Sequence, residues 1–192
     1  FDYAKLCDVS KNVISTMSAQ EVFQQVLAYA QEYDPEFGQA LSADPSYATA
    51  IFAVGRGGKK PRKDLTTWKD AKPYMGFFYD PFFCADTPFP GEFSPGTIKT
   101  ALARFWEQYD PQDDATTWFE KIKTLADSMG FATNMKLYKQ NPDAWPGSVT
   151  DVSTFLRIAL TGKTNSPDLY TVMQLLGPDR SHARIQNAIN RL

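Results

Sequence analysis

A single histidine, His182, serves the whole of this 192-residue chain. Histidine is the usual proton carrier near neutral pH and a frequent metal ligand, so a histidine triad or a histidine metal cluster has nothing to assemble from. His182 falls on the polar side of the last helical pattern and reads as a surface residue. Gly57-Gly58-Lys59-Lys60 looks like part of a phosphate loop, but that motif needs a glycine at position 53 and a Ser or Thr at position 60, where Ala53 and Lys60 stand. The acid pair Asp113-Asp114 sits where a helix start calls for caps. No catalytic constellation emerges, and the chemistry that remains is binding.

Two segments carry that chemistry. In Gly55-Arg56-Gly57-Gly58-Lys59-Lys60-Pro61-Arg62-Lys63 the cations Arg56, Lys59, Lys60, Arg62 and Lys63 share one loop. Grouped cations neutralise neighbouring phosphates and release their counterions. The glycines let the backbone approach a ligand closely, and Pro61 limits how floppy the loop is. The second segment runs from Leu156 to Leu169. Arg157 stands inside an otherwise apolar helix, Gly162 ends that helix, and a short polar turn leads to Ser166-Pro167, read as the next helix start, and then to Leu169. A guanidinium can fork onto a base edge or stack on it, and helix N-termini attract anions and base acceptors. A snorkelling arginine beside an ordinary cap is the competing reading of the same residues.

Net charge is −2, which by itself favours no polyanion, but the charge is unevenly spread. Residues 18–54 hold five acids (Glu21, Glu32, Asp34, Glu36, Asp44) and no Lys or Arg, while residues 55–72 hold seven cations against Asp64 and Asp70. Such a change of sign can steer a polyanion to one face of a near-neutral protein. Cys7 and Cys84 lie far apart and read as reduced thiols of a cytoplasmic protein. No apolar run approaches the ~20 residues that cross a bilayer, and the opening is a mixed polar segment without the pattern of a secretion signal. A first residue of Phe1 suggests a fragment or a processed chain.

The elements that must position these residues are helices. Ser18-Ala19-Gln20-Glu21 forms a capping box, followed by the stripe Val22, Phe23, Val26, Leu27, Ala30 and a stop at Asp34-Pro35. A short helix is expected over Pro45–Val54, with proline in its first turn, and another after Thr66 or Thr67 carrying Trp68. The Pro-, Phe- and Gly-rich stretch Phe77–Pro95 reads as an ordered connector pinned by its rings. Helices then follow from Ser94-Pro95, around Trp118 to Gly130, over Asp151–Thr161, from Ser166-Pro167 to Gly177, and through Ile185 and Ile189. The expected class is all-α, with helical subdomains over residues 1–80 and 81–192.

At this point the residues resemble a family. Leu156-Arg157-x-Ala159-Leu160-Thr161-Gly162, Ser166-Pro167-x-Leu169, Leu175-Leu176-Gly177 and Arg184-Ile185 resemble the C-terminal end of bacterial glutamyl-tRNA synthetases. Phe1-Asp2-x-x-Lys5-Leu6, Val13-Ile14 and Ser18-x-x-Glu21 resemble the segment that follows the catalytic region, and Lys63-Asp64-Leu65 through Phe78-Tyr79-Asp80 resembles the stretch between. The resemblance implies an α-helical cage for the anticodon loop of the glutamate tRNA. It implies that Arg157, Ser166, Pro167 and Leu169 match the residues that read the first two anticodon bases. Pro61 falls where some members carry an arginine that excludes the glutamine tRNA, and Arg62 stands beside it. The motifs of the nucleotide-binding domain have no counterpart in this sequence. By that resemblance the fragment is non-catalytic and without cofactor, and ATP and Mg belong to the catalytic domain of its parent enzyme; the expected state is a monomer. A helical protein-interaction module with no RNA role is the alternative.

Overall fold

In the computed structural model, which describes residues 2–192, every long element is a helix, as the 3.6-residue period predicts. Phe1, the first residue of the opening motif, lies outside the described residues. The chain divides into two units, one ending at Phe83 and one beginning at Cys84. The division falls inside the Phe- and Pro-rich connector, where the sequence suggests a boundary after Asp80.

The first unit opens with α1 (Tyr3–Thr16), capped by the Asp2 carboxylate, which accepts the Lys5 N–H at 3.0 Å. In α2 (Ala19–Tyr33) the capping box is complete: Ser18 Oγ accepts the Glu21 N–H and the Glu21 carboxylate accepts the Ser18 N–H. Its stripe Val22, Phe23, Val26 and Ala30 is buried. Asp34-Pro35 does end α2, as expected, but it also starts a helix that the sequence pattern does not announce, α3 (Pro35–Ala43). The Asp34 carboxylate accepts the Phe37 N–H, and proline at the first helical position gives up an N–H that would have been unpaired anyway. Asp44-Pro45 repeats the device for α4 (Pro45–Ala53).

α2 and α3 pack with backbones close together. A Cβ added at Gly38 would come within 3.1 Å of the Gln31 backbone nitrogen. After the basic loop, a 3-10 turn at Trp68–Asp70 leads into α5 (Ala71–Met75), with the Asp70 carboxylate accepting the N–H groups of Thr66 and Thr67. Further 3-10 turns at Gly76–Phe78 and Asp80–Phe82 bury Phe77 and Phe78. Phe37 meets Phe82 edge-on, as Tyr47 meets Tyr79, so rings order the start of the connector as expected.

The second unit holds α6 (Pro95–Glu107), capped by Ser94, and α7 (Ala115–Ser128), capped by Asp114. Gly130 follows α7 with φ 75°. The short α8 (Met135–Gln140) buries no residue, and without an apolar stripe nothing in the sequence announces it. α9 (Val149–Thr161) and α10 (Leu169–Arg191) complete the unit. Ile98, Leu102 and Phe105 of α6, Ile122 of α7, Phe155, Leu156 and Leu160 of α9, and Met173 and Ile185 of α10 are all buried. Among the described residues the only β-type pairing is an isolated parallel bridge between Ala132 and Ser148.

α10 departs from expectation at its start. Asp168, not Ser166, is its cap, and the Asp168 carboxylate accepts the Thr171 N–H at 2.8 Å. Ser166 and Pro167 therefore belong to the preceding turn. The break expected at Gly177 is present as a non-helical residue within α10 (φ 76°, ψ 166°), with Pro178 directly after it.

Candidate nucleic-acid interface

α9 is built to present one arginine. Ser148 and Asp151 form a capping box at its start, with the Asp151 carboxylate accepting the Ser148 N–H at 2.7 Å. Val152, Phe155, Leu156, Ala159 and Leu160 anchor it in the core. Gly162 closes it in the left-handed conformation (φ 65°, ψ 24°), which glycine adopts without strain. Arg157 is held half-buried on this rigid element.

Its setting corrects one expectation. A base-reading role for both Arg157 and Ser166, as the resemblance implies, calls for both polar groups at the surface. Ser166 is instead only 4% exposed. Its Oγ accepts from Arg157 Nε at 3.0 Å and donates to the Pro167 carbonyl at 2.9 Å. A small hydroxyl placed before a helix start is easily engaged by the turn itself, so here it fixes the arginine rather than facing solvent. Pro167 is buried and Leu169 is in the core at 4% exposure, so neither offers an open surface. The turn's exposed surface comes from Thr164 and Asn165, beside half-buried Lys163. These three form the polar turn of the Leu156–Leu169 segment, in which the sequence singles out none of them as a site residue.

The basic loop lies in the first unit and separates into two classes of cation. Arg56 Nη1 donates to the Ile14 carbonyl at 2.6 Å, in the last turn of α1, where carbonyls lack helical partners. Burial lowers its pKa from the ordinary arginine value without discharging it. Arg62 grips Asp64 with two hydrogen bonds, Nε to Oδ2 at 2.7 Å and Nη2 to Oδ1 at 3.0 Å, and the bond to Asp64 raises its pKa. The Arg62 N–H also donates to the Gly55 carbonyl at 3.0 Å and closes the loop on itself. Both arginines therefore build the loop. Lys59, Lys60 and Lys63 are exposed and are the cations it offers. The division follows the chemistry: a planar fork suits fixed carbonyls and carboxylates, and an ammonium on a flexible stem suits a diffuse anion.

Among the described residues no group of His, Cys, Asp and Glu could hold a metal ion. His182 is exposed, with its ring stacked on Trp106 at 4.7 Å. Cys7 and Cys84 are free thiols. No helix among these residues is long and apolar enough to cross a membrane.

Comparison with known proteins finds similarity along the sequence. Residues 148–189 match the family described as "Anticodon binding domain", a span that contains α9, the Arg157–Ser166 pair and most of α10. The chain is 41% identical over 186 residues, 96% of its length, to a protein of Sorangium cellulosum described as "Glutamate--tRNA ligase". Proteins of the same description from Acetivibrio thermocellus and Clostridium beijerinckii are 39% and 33% identical over 98% and 99% of the chain. The chain spans about a third of the length of these curated relatives. Along nearly its whole length the chain is similar in sequence to proteins described as glutamate–tRNA ligases, and across α9 and most of α10 it matches an anticodon binding domain.

Proposed function

We propose that this chain is the anticodon-binding part of a glutamate–tRNA ligase, and that its ligand is the anticodon arm of a tRNA. The observation that carries the reading is the Arg157–Ser166 pair within the span matched to an anticodon binding domain. Arg157 reads a base with its guanidinium, oriented through Nε by Ser166, while Pro167 and Leu169 shape the floor behind it. Lys59, Lys60 and Lys63 bind phosphates, which strengthens association without selecting sequence.

Activation of glutamate, with its ATP and Mg, falls to the rest of the parent enzyme. On this reading the chain alone binds RNA and turns nothing over, as a monomer in the cytoplasm. Pro61, in the position where some relatives exclude the glutamine tRNA with an arginine, leaves both glutamate and glutamine tRNAs as ligands.

A gel-shift series with the glutamate anticodon stem-loop and a stem-loop of scrambled loop sequence tests this, run from low to moderate salt. The stem-loop with the true anticodon binds more tightly at every salt. Equal binding of the two throughout refutes the reading. The rival, a protein-docking module, draws on the exposed apolar residues Tyr3, Leu6, Val9 and Val13 of α1, and it predicts that equality.

A further inference from the structure

The turn between α9 and α10 is held by donors from outside it. The last carbonyls of a helix have no partners within the helix. Here the buried Arg184 of α10 donates from Nη1 to the Leu160 carbonyl at 2.7 Å. The carbonyl of Gly162, the left-handed residue that starts the turn, accepts a hydrogen bond from the Thr87 hydroxyl, 75 positions earlier in the chain. Thr161 ties the turn locally: its hydroxyl donates to the Arg157 carbonyl at 2.7 Å, and the Lys163 N–H donates to it at 3.2 Å.

Thr87 is well placed to be a fixed point. It precedes Pro88, and a residue before proline is restricted to extended backbone. The segment around it is fastened to the same two helices. Arg191 of α10 donates from Nη1 to the Ala85 carbonyl, and Phe89 lines a small crevice with Ile158 and Ala159 of α9 and Ala188 of α10. Residues 85–89 therefore form a strap across the ends of α9 and α10, and Thr87 is where the strap meets the turn.

We propose that Thr87 is a positioning residue for base choice. By holding the Gly162 carbonyl it fixes the course of residues 163–166, and through Ser166 it fixes the Arg157 guanidinium. Thr87 touches no RNA. The proposal rests on the RNA-binding reading of the same turn.

The test uses the full chain with Thr87→Val, which removes the hydroxyl at nearly constant shape, and Thr87→Ser, which restores it. The readout is the ratio of affinities for the glutamate anticodon stem-loop and for stem-loops with one anticodon base exchanged. Thr87→Val lowers that ratio roughly three- to tenfold, about the worth of one hydrogen bond. It also speeds hydrogen exchange at the Lys163 amide, and Thr87→Ser restores both. If Thr87→Val weakens all stem-loops equally, or leaves the ratio and the exchange unchanged, Thr87 is structural only and the proposal is overturned. If the unmodified chain itself shows no preference, the RNA reading fails, and the role of Thr87 falls with it.

Discussion

At the scale of single residues, the decisive question is which polar groups are committed to the fold and which are left to meet a ligand. Ser166 is committed, since its hydroxyl links Arg157 Nε to the Pro167 carbonyl. Ser166→Ala takes the acceptor away from Arg157 Nε and should weaken binding of the cognate stem-loop by about 1 kcal/mol, whereas Ser166→Thr keeps the hydroxyl and the affinity. Titration calorimetry of the two variants separates these outcomes. The basic loop makes a parallel case. Changing Lys59, Lys60 or Lys63 to Gln should reduce the slope of log affinity against log salt by roughly 0.7 to 0.9 for each phosphate that is no longer neutralised. Arg56→Gln should leave that slope unchanged and lower folding stability by about 1.5 to 3 kcal/mol, because the Ile14 carbonyl is deprived of a charged donor. Sequence could group the five cations on one loop. It could not sort them, because the partners that claim Arg56 and Arg62 are the end of α1, reached only in the folded chain, and a carboxylate whose engagement spacing does not announce.

At the scale of elements, the joint between α2 and α3 concentrates several demands on Asp34. It ends one helix and caps the next, and the Lys72 ammonium donates to its carboxylate at 2.8 Å while lying 4.4 Å from the centre of the Phe82 ring. The bond from Lys72 holds the Asp34 carboxyl below the ordinary aspartate range. With the folded pKa below the unfolded one, the carboxylate contributes its stability fully above about pH 4, and that contribution is lost as pH falls through the folded value. Asp34→Asn should therefore lower the unfolding midpoint at pH 7 and flatten its fall in acid, a comparison that thermal melts across roughly pH 2 to 7 would make. Gly38→Ala should cost about 1 to 3 kcal/mol, since its methyl would press on the α2 backbone, and a urea titration reads this directly.

The helices that sequence reveals most clearly carry both a cap and a stripe. Ser18 with Glu21, Ser94 before Pro95, and Gly162 after an apolar run each mark a real boundary. α3 hides behind a proline that looks like a stop, and α8 has no buried face to betray it. α10 starts later than Ser166-Pro167 suggests: the Ser166 hydroxyl is engaged with Arg157 Nε, and the Asp168 carboxylate caps the helix instead.

At the scale of the whole molecule, the proposed function asks a chain of net charge −2 to bind a polyanion. It can do so only if affinity comes from a few placed cations and selectivity from a rigid turn. The charge contrast between residues 18–54 and 55–72, legible in the sequence, supplies the cations. On the proposed function the turn between α9 and α10 supplies the selectivity, and the side chains that tie it, Arg184 and Thr87, are distant in sequence and invisible to any motif. The most direct measurement of the central claim is a fluorescence-anisotropy titration of the full chain and of Arg157→Ala against the glutamate anticodon stem-loop and single-base exchanges in its anticodon. Arg157→Ala should lose about 1 to 3 kcal/mol toward the true anticodon and bind the exchanged loops nearly as the unmodified chain does. An Arg157→Ala chain that binds every loop as the unmodified one does would contradict the claim.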